Sequence, residues 1–318
     1  MQALYWNGKQ ARVTEQPDPE ASERAVVRVS LAGVCATDLE ITRGYMDYHG
    51  VLGHEFVGHV ESGPEDWRGA RVVAEINNPC RKCDSCLRGL ERHCPNRSVT
   101  GILNANGAFA ERIAVPVENL HRVPDNVSND AAVFTEPLAA AFEILEQVDI
   151  QPDDYCVVFG DGRLGLLISQ VLHTTGAHVT TIGKHSEKLA LLEARGIETQ
   201  LLSNWEASPR QGDVVVEATG SASGFARAVS ATRPRGTLVL KSTVADSPPI
   251  DLAPLVINEI TVVGSRCGPF APALDALARG TVSVEPLIAA RYALAEGEQA
   301  LAKAGETGVL KVLIDCSG

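Results

Sequence analysis

The chain has 318 residues, 45% of them hydrophobic and 21% charged, which excludes a disordered or collagen-like polypeptide and suits two globular domains. Lys and Arg number 28 and Asp and Glu 40, so the net charge is −12. That acidity argues against nucleic acid and against an anionic membrane surface as partners, since both attract Lys and Arg.

The segment Met1 to Trp6 has no basic region leading into a long apolar stretch, so no signal peptide is expected. The longest apolar runs, such as Leu164 to Ile168, are far short of a bilayer span. A cytoplasmic location is the expectation. The first third reads as short strands separated by Gly and Pro: Ala25 to Val29, Arg71 to Ala74 and Arg112 to Val115. This predicts a mainly β domain.

Within it stand Cys35-Ala36-Thr37-Asp38 and then Gly53-His54-Glu55-Phe56-Val57-Gly58-His59. The second segment is not a zinc-protease H-E-x-x-H, because Gly58 takes the place of the second histidine and His59 comes one residue late. Taken singly, Cys35 reads equally as a packed thiol and His54 as a core histidine. Tyr45, Tyr48 and His49, between the two segments, are candidates for lining a substrate pocket or are ordinary aromatics.

Eight cysteines are present, and four of them form Cys80-x2-Cys83-x2-Cys86-x7-Cys94. A reducing compartment would not keep them as disulfides. Four thiolates so close together suit one tetrahedral zinc with no open position, a structural site. Gly89 helps the connection turn back. Arg81, Lys82, Arg88, Arg92 and Arg97 punctuate the lobe, but a zinc-ribbon nucleic-acid module is opposed by the acidity of the whole chain. Cys156 lies in an apolar run and reads as a packed thiol; Cys267 and Cys316 have no partner pattern.

The character changes near Thr135-Glu136-Pro137. Helical spacing over Leu138 to Glu146 leads into alternating strands and helices. The strands are Tyr155 to Phe159, Val179 to Ile182, Val214 to Val216 and Thr237 to Leu240. Such alternation predicts a doubly wound parallel sheet, because each parallel pair needs a crossover. Gly160-Asp161-Gly162-Arg163-Leu164-Gly165 matches G-x-G-x-x-G between the first strand and its helix. There Gly160 makes the turn, Gly162 admits a pyrophosphate and Gly165 lets helix and strand pack closely. The second strand ends in Gly183-Lys184-His185, with no carboxylate for ribose hydroxyls. Gly183 leaves room for a 2′-phosphate and Lys184 and His185 offer charge, so NADP is expected over NAD.

Together these motifs resemble the zinc-dependent medium-chain dehydrogenase/reductase (alcohol dehydrogenase) family, closest to its sorbitol and threonine dehydrogenase-like branch. The likeness covers nearly the whole chain in motif order. It implies an α/β architecture: a Rossmann domain over residues 137–265 and a GroES-like catalytic domain over 1–136 and 266–318, carrying the zinc lobe (80–94). The active site would lie in the cleft between them. The resemblance implies Cys35 and His54 as ligands of a catalytic zinc and Glu136 as the acid completing it. Glu55 would ligate in the absence of Glu136 or alternate with water, Thr37 would relay the substrate proton, and Asp38 would orient the histidine. With the structural site, that makes two zinc ions per chain. The implied reaction is hydride transfer between a nicotinamide cofactor and an alcohol or polyol, or its carbonyl, in a homodimer or homotetramer. The alternative is an NADP-binding sensor or scaffold without turnover. Ala36 departs from the histidine frequent in threonine dehydrogenase-like members, which weakens that substrate.

Overall fold

The computed structural model describes residues 1–21, 24–205, 211–242 and 250–317. The chain divides into two units, Met1–Glu136 with Ala273–Ala278 and Ser283–Gly318, and Pro137–Pro272 with Arg279–Val282.

The first unit is built on a seven-stranded sheet. Its spine runs Leu120–Arg122, Arg71–Ala74, Glu55–Ser62, Arg24–Gly33, Lys311–Asp315, Ile288–Ala293, and Arg112–Pro116 also pairs with Arg24–Gly33. The long strand Arg24–Gly33 buries Val27, Val29 and Ala32 in a core shared with Leu4, Ile41, Phe56, Phe109 and Ile314. Its register sets Gly33 opposite Glu55 on one side and Leu313 on the other. The chain leaving this strand at Cys35 therefore runs beside the chain entering the next at His54. A short helix, Ala36–Ile41, starts immediately, with the Asp38 carboxylate accepting the Cys35 N–H at 2.8 Å and so capping it.

The second unit carries a six-stranded, all-parallel sheet. Numbered in chain order, Tyr155–Phe159, His178–Gly183, Glu198–Leu201, Gly212–Glu217, Thr232–Leu240 and Thr261–Gly264 lie in the spatial order 3-2-1-4-5-6. That is the doubly wound dinucleotide-binding order, with its switch point beside the first strand. The apolar run Tyr155–Phe159 is central and buried, as a parallel strand covered on both faces must be. Helix Arg163–His173 buries Leu166, Leu167, Ile168, Val171 and Leu172, while Leu164 is half-buried. No helix among the described residues is long and apolar enough to cross a membrane.

Candidate active site and nucleotide cradle

Cys35, His54 and Glu55 come together, each offering a ligand atom, with those atoms within 4.8 Å of one another. His54 and Glu55 are buried and Cys35 half-buried. Behind them Asp38 is fully buried. Its Oδ1 lies 3.2 Å from His54 Nδ1 and accepts the Gly53 N–H at 3.3 Å. The Asp38–His54 contact is not aligned as a hydrogen bond, so Nδ1 is an orphaned buried atom, as is Glu55 Oε1. Burial alone pushes the imidazole pKa down, but the Asp38 carboxylate and then the Cys35 sulfur hold it well above the ordinary range. A thiol, an imidazole and a carboxylate gathered in a buried place, with Glu55 Oε1 left unsatisfied, fit a divalent cation, whose binding would displace the thiol proton. Thr37 is half-buried, its Oγ1 3.7 Å from Cys35 Sγ. Glu136, half-buried in the first turn of helix Thr135–Gln147, is not a member of this group.

Glu55, the carboxylate expected to ligate or to alternate with water, has a partner that the sequence reading did not name. Its Oε2 accepts a hydrogen bond from Lys311 Nζ, both side chains being almost inaccessible. The same ammonium donates to the Val34 carbonyl at 3.3 Å and lies 5.5 Å from the centre of the Phe134 ring. The pair meets over Gly33, where a Cβ would stand 2.6 Å from Glu55 Oε2 and 3.4 Å from Lys311 Cδ. Lys311 was missed from sequence. The available signal was a lone cation inside the apolar run Leu310 to Ile314, which a buried strand tolerates only with a counter-charge.

Tyr48 and His49 both line a hollow, with Asp47, Leu103 and Asn106, and Tyr48 is fixed there by its hydroxyl. Tyr48 is buried, and its hydroxyl lies 2.7 Å from the Val51 carbonyl and 2.9 Å from that of Ala105. Tyr45 is exposed.

The four lobe cysteines also converge, their Sγ atoms 3.5 to 3.7 Å apart for Cys83–Cys86, Cys80–Cys94 and Cys83–Cys94. These separations are far too long for disulfides. They match the edges of a tetrahedron with metal–sulfur bonds of about 2.3 Å. The Lys82 backbone N–H and other hydrogen bonds draw the Cys80 thiol down to about 6, whereas burial pushes Cys86 up to about 12. Full ionisation of the set therefore needs a cation. Gly89 adopts φ +76° with open space around it, so backbone conformation is what demands glycine there. Leu87 and Leu90 are exposed, so the lobe has little core of its own. Cys94→Ser is expected to lose one zinc equivalent and to open tryptic cleavage at Arg81, Lys82, Arg88 and Arg92. An unchanged digest, read by mass spectrometry, would show that no metal organises the lobe.

In the second unit, Gly160 has φ +123°, and a Cβ there would meet the Ala218 carbonyl oxygen at 2.4 Å. A Cβ on Gly165 would lie 2.0 Å from the Gly160 oxygen. Gly162, by contrast, faces open space. It is the N-cap of helix Arg163–His173 and provides no side-chain cap, leaving the first turn, with half-buried Arg163 and Leu164, to an anion. This cradle fits a pyrophosphate. At the end of the second strand the structure corrects the premise that no carboxylate is present. Asp161 reaches it from the glycine turn and accepts the N–H groups of Lys184 at 2.6 Å and His185 at 2.7 Å, and His185 Nδ1 lies 2.9 Å away. The room that Gly183 leaves is filled by this side chain, since a Cβ on Gly183 would stand 2.6 Å from Asp161 Oδ2. Burial pushes the Asp161 pKa up, but the hydrogen bonds from His185 and Lys184 more than offset it, and the carboxyl lies below its ordinary range. Lys184 is exposed.

A glycine-turn dinucleotide fold and a mainly β unit with a buried Cys–His–carboxylate group in one chain define a nicotinamide-dependent oxidoreductase. Residues 21–125 match the model of the alcohol dehydrogenase GroES-like domain, and residues 164–279 that of the zinc-binding dehydrogenases. The chain belongs to this zinc-binding alcohol dehydrogenase family, the medium-chain dehydrogenases. It is 29% identical to a D-arabitol-phosphate dehydrogenase of Enterococcus avium, covering 93% of this chain and 91% of that one. It is also 29% identical to a sorbitol dehydrogenase of Halalkalibacterium halodurans, covering 95% and 94%. Among solved structures, a Sinorhizobium meliloti protein described as a zinc-binding dehydrogenase and bound to NADP superposes with TM-score 0.91 at 26% identity, covering 99% and 98%. A short chain alcohol dehydrogenase of Escherichia coli CFT073 complexed with NADH does so with TM-score 0.90 at 25% identity, covering 99% of each chain.

Proposed function

We propose that this chain is a zinc-dependent polyol dehydrogenase, interconverting a secondary alcohol of a polyol or polyol phosphate with its ketone. The observation that carries the reading is the buried group of Cys35, His54 and Glu55, with Asp38 behind it. The names of the sorbitol and arabitol-phosphate relatives support the substrate class.

Cys35 and His54 would hold the catalytic ion, with Glu55 Oε1 facing it and Glu136 the candidate for the remaining acidic ligand. When bound, zinc supplies Lewis acidity towards a substrate hydroxyl, and nicotinamide takes up the hydride. Asp38 keeps a carboxylate at His54 Nδ1, which leaves Nε2 for the metal. The Lys311 ammonium holds the Glu55 carboxylate in position by its hydrogen bond. The Thr37 hydroxyl, beside Cys35, accepts the substrate hydroxyl proton and passes its own outward, remaining uncharged. Gly160, Gly162, Gly165 and the helix start at Arg163 and Leu164 seat the pyrophosphate. Selection between NAD and NADP falls to the end of the second strand. There Lys184 favours the NADP expected from sequence, and the Asp161 carboxylate acts the other way. The homodimer or homotetramer and the cytoplasmic setting belong to the same reading.

The test is a panel of polyols, polyol phosphates and primary alcohols with NAD and NADP, read by the absorbance of reduced nicotinamide with and without chelator. Chelator-sensitive turnover of polyols is expected. Turnover confined to primary alcohols, or undiminished after metal removal, would contradict it.

A further inference from the structure

We propose that Asp161, from within the glycine-rich turn itself, is the carboxylate that reads the adenosine ribose, and that it sets this chain to prefer NAD over NADP. The inference rests on the dehydrogenase reading above. In this fold the acid that hydrogen-bonds the ribose hydroxyls normally stands at the end of the second strand, about 20 residues beyond the glycine motif. Here that position is Gly183, and the absent side chain has a spatial substitute. The Asp161 carboxylate lies where a side chain on Gly183 would begin, with its Cβ and Oδ2 both 2.6 Å from that point. The glycine is thus the complement of the aspartate, and the space it leaves is not available to a 2′-phosphate.

The charges around it point the same way. Oδ2 is committed to the Lys184 and His185 N–H groups and to the His185 ring. No described residue bonds Oδ1, which is left to accept from a ribose hydroxyl. Of the two side chains that would greet a 2′-phosphate, His185 already has its ring Nδ1 2.9 Å from this carboxylate. The other, Lys184, is exposed, where a single ion pair contributes little. A 2′-phosphate would bring two negative charges against a largely buried carboxylate, and that repulsion outweighs one solvated lysine.

The test uses Asp161→Asn, which keeps an acceptor oxygen for the turn and removes the charge. Dissociation constants of NADH and NADPH are measured by the fluorescence of bound reduced nicotinamide, without turnover. Wild type is expected to bind NADH at least about tenfold more tightly than NADPH, and the variant to lose about tenfold of that ratio, mainly by gaining NADPH. A merely structural aspartate would weaken both cofactors alike. A ratio moved less than about twofold in a folded variant, or tighter NADPH binding by wild type, overturns the proposal. If the variant does not fold, competition on wild type decides. Displacement of NADH by 5′-AMP at lower concentration than by 2′,5′-ADP supports the assignment, and the reverse order overturns it. Failure of wild type to bind either dinucleotide would overturn the dehydrogenase reading with it.

Discussion

His54→Ala is expected to lower polyol turnover by about 10³-fold or more while leaving NADH binding within about twofold of wild type. The asymmetry follows from where the residues stand. His54 belongs to the buried donor group in the first unit, whereas every residue of the nucleotide cradle lies in the second. Removing the imidazole takes the one nitrogen donor from the proposed ligand set, which weakens zinc binding, and leaves the Asp38 carboxylate without the ring it faces. Cys35→Ser is expected to behave alike. The loss should appear in kcat, since the interaction removed stabilises charge developing on the reacting oxygen. A His54→Ala enzyme with more than about a tenth of wild-type kcat would show that the reacting hydroxyl is polarised elsewhere.

The second large effect concerns stability. Lys311→Met removes one partner of a pair whose two side chains are 0% and 1% exposed. It leaves the buried Glu55 carboxylate without its ammonium partner. Breaking such a pair costs about 3–5 kcal/mol, which lowers the melting temperature of a unit of this size by roughly 10 °C. The double variant Lys311→Met, Glu55→Gln should recover more than half of that loss, because a neutral amide no longer demands a cation. A single variant melting within about 2 °C of wild type would mean that the carboxylate finds water or takes up a proton at little cost.

How much of this was legible in the sequence depends on whether a feature is local. Tyr155 to Phe159 and the helix after it were readable because a central parallel strand is an unbroken apolar run, and the glycine turn joins the two within a few residues. The strand Glu198–Leu201 was not foreseen. It is the sheet edge, Glu-Thr-Gln-Leu has no apolar alternation, and its pairing with His178–Gly183 is what makes it a strand. Thr261–Gly264, at the other edge and mostly exposed, escaped for the same reason. No periodicity links Cys35 to His54; resemblance suggested their partnership, and the register of Gly33 against Glu55 is its physical cause. Lys311 and Asp161 act over separations of 256 and 24 residues. Neither partnership has a spacing rule. Asp161 was visible as a letter in the motif, but its reach to Gly183 depends on how the turn closes against the neighbouring strand.

The central claim is that two separate groups of side chains bind metal and that only one of them serves the reaction. Zinc content of the purified chain, measured by mass spectrometry for wild type and for His54→Ala, tests it most directly. Two equivalents per chain in wild type and one in the folded variant, matching the Cys80–Cys83–Cys86–Cys94 and Cys35–His54–Glu55 groups, are the expected values. One equivalent in both proteins would contradict the account, since the buried group at His54 would then hold no metal.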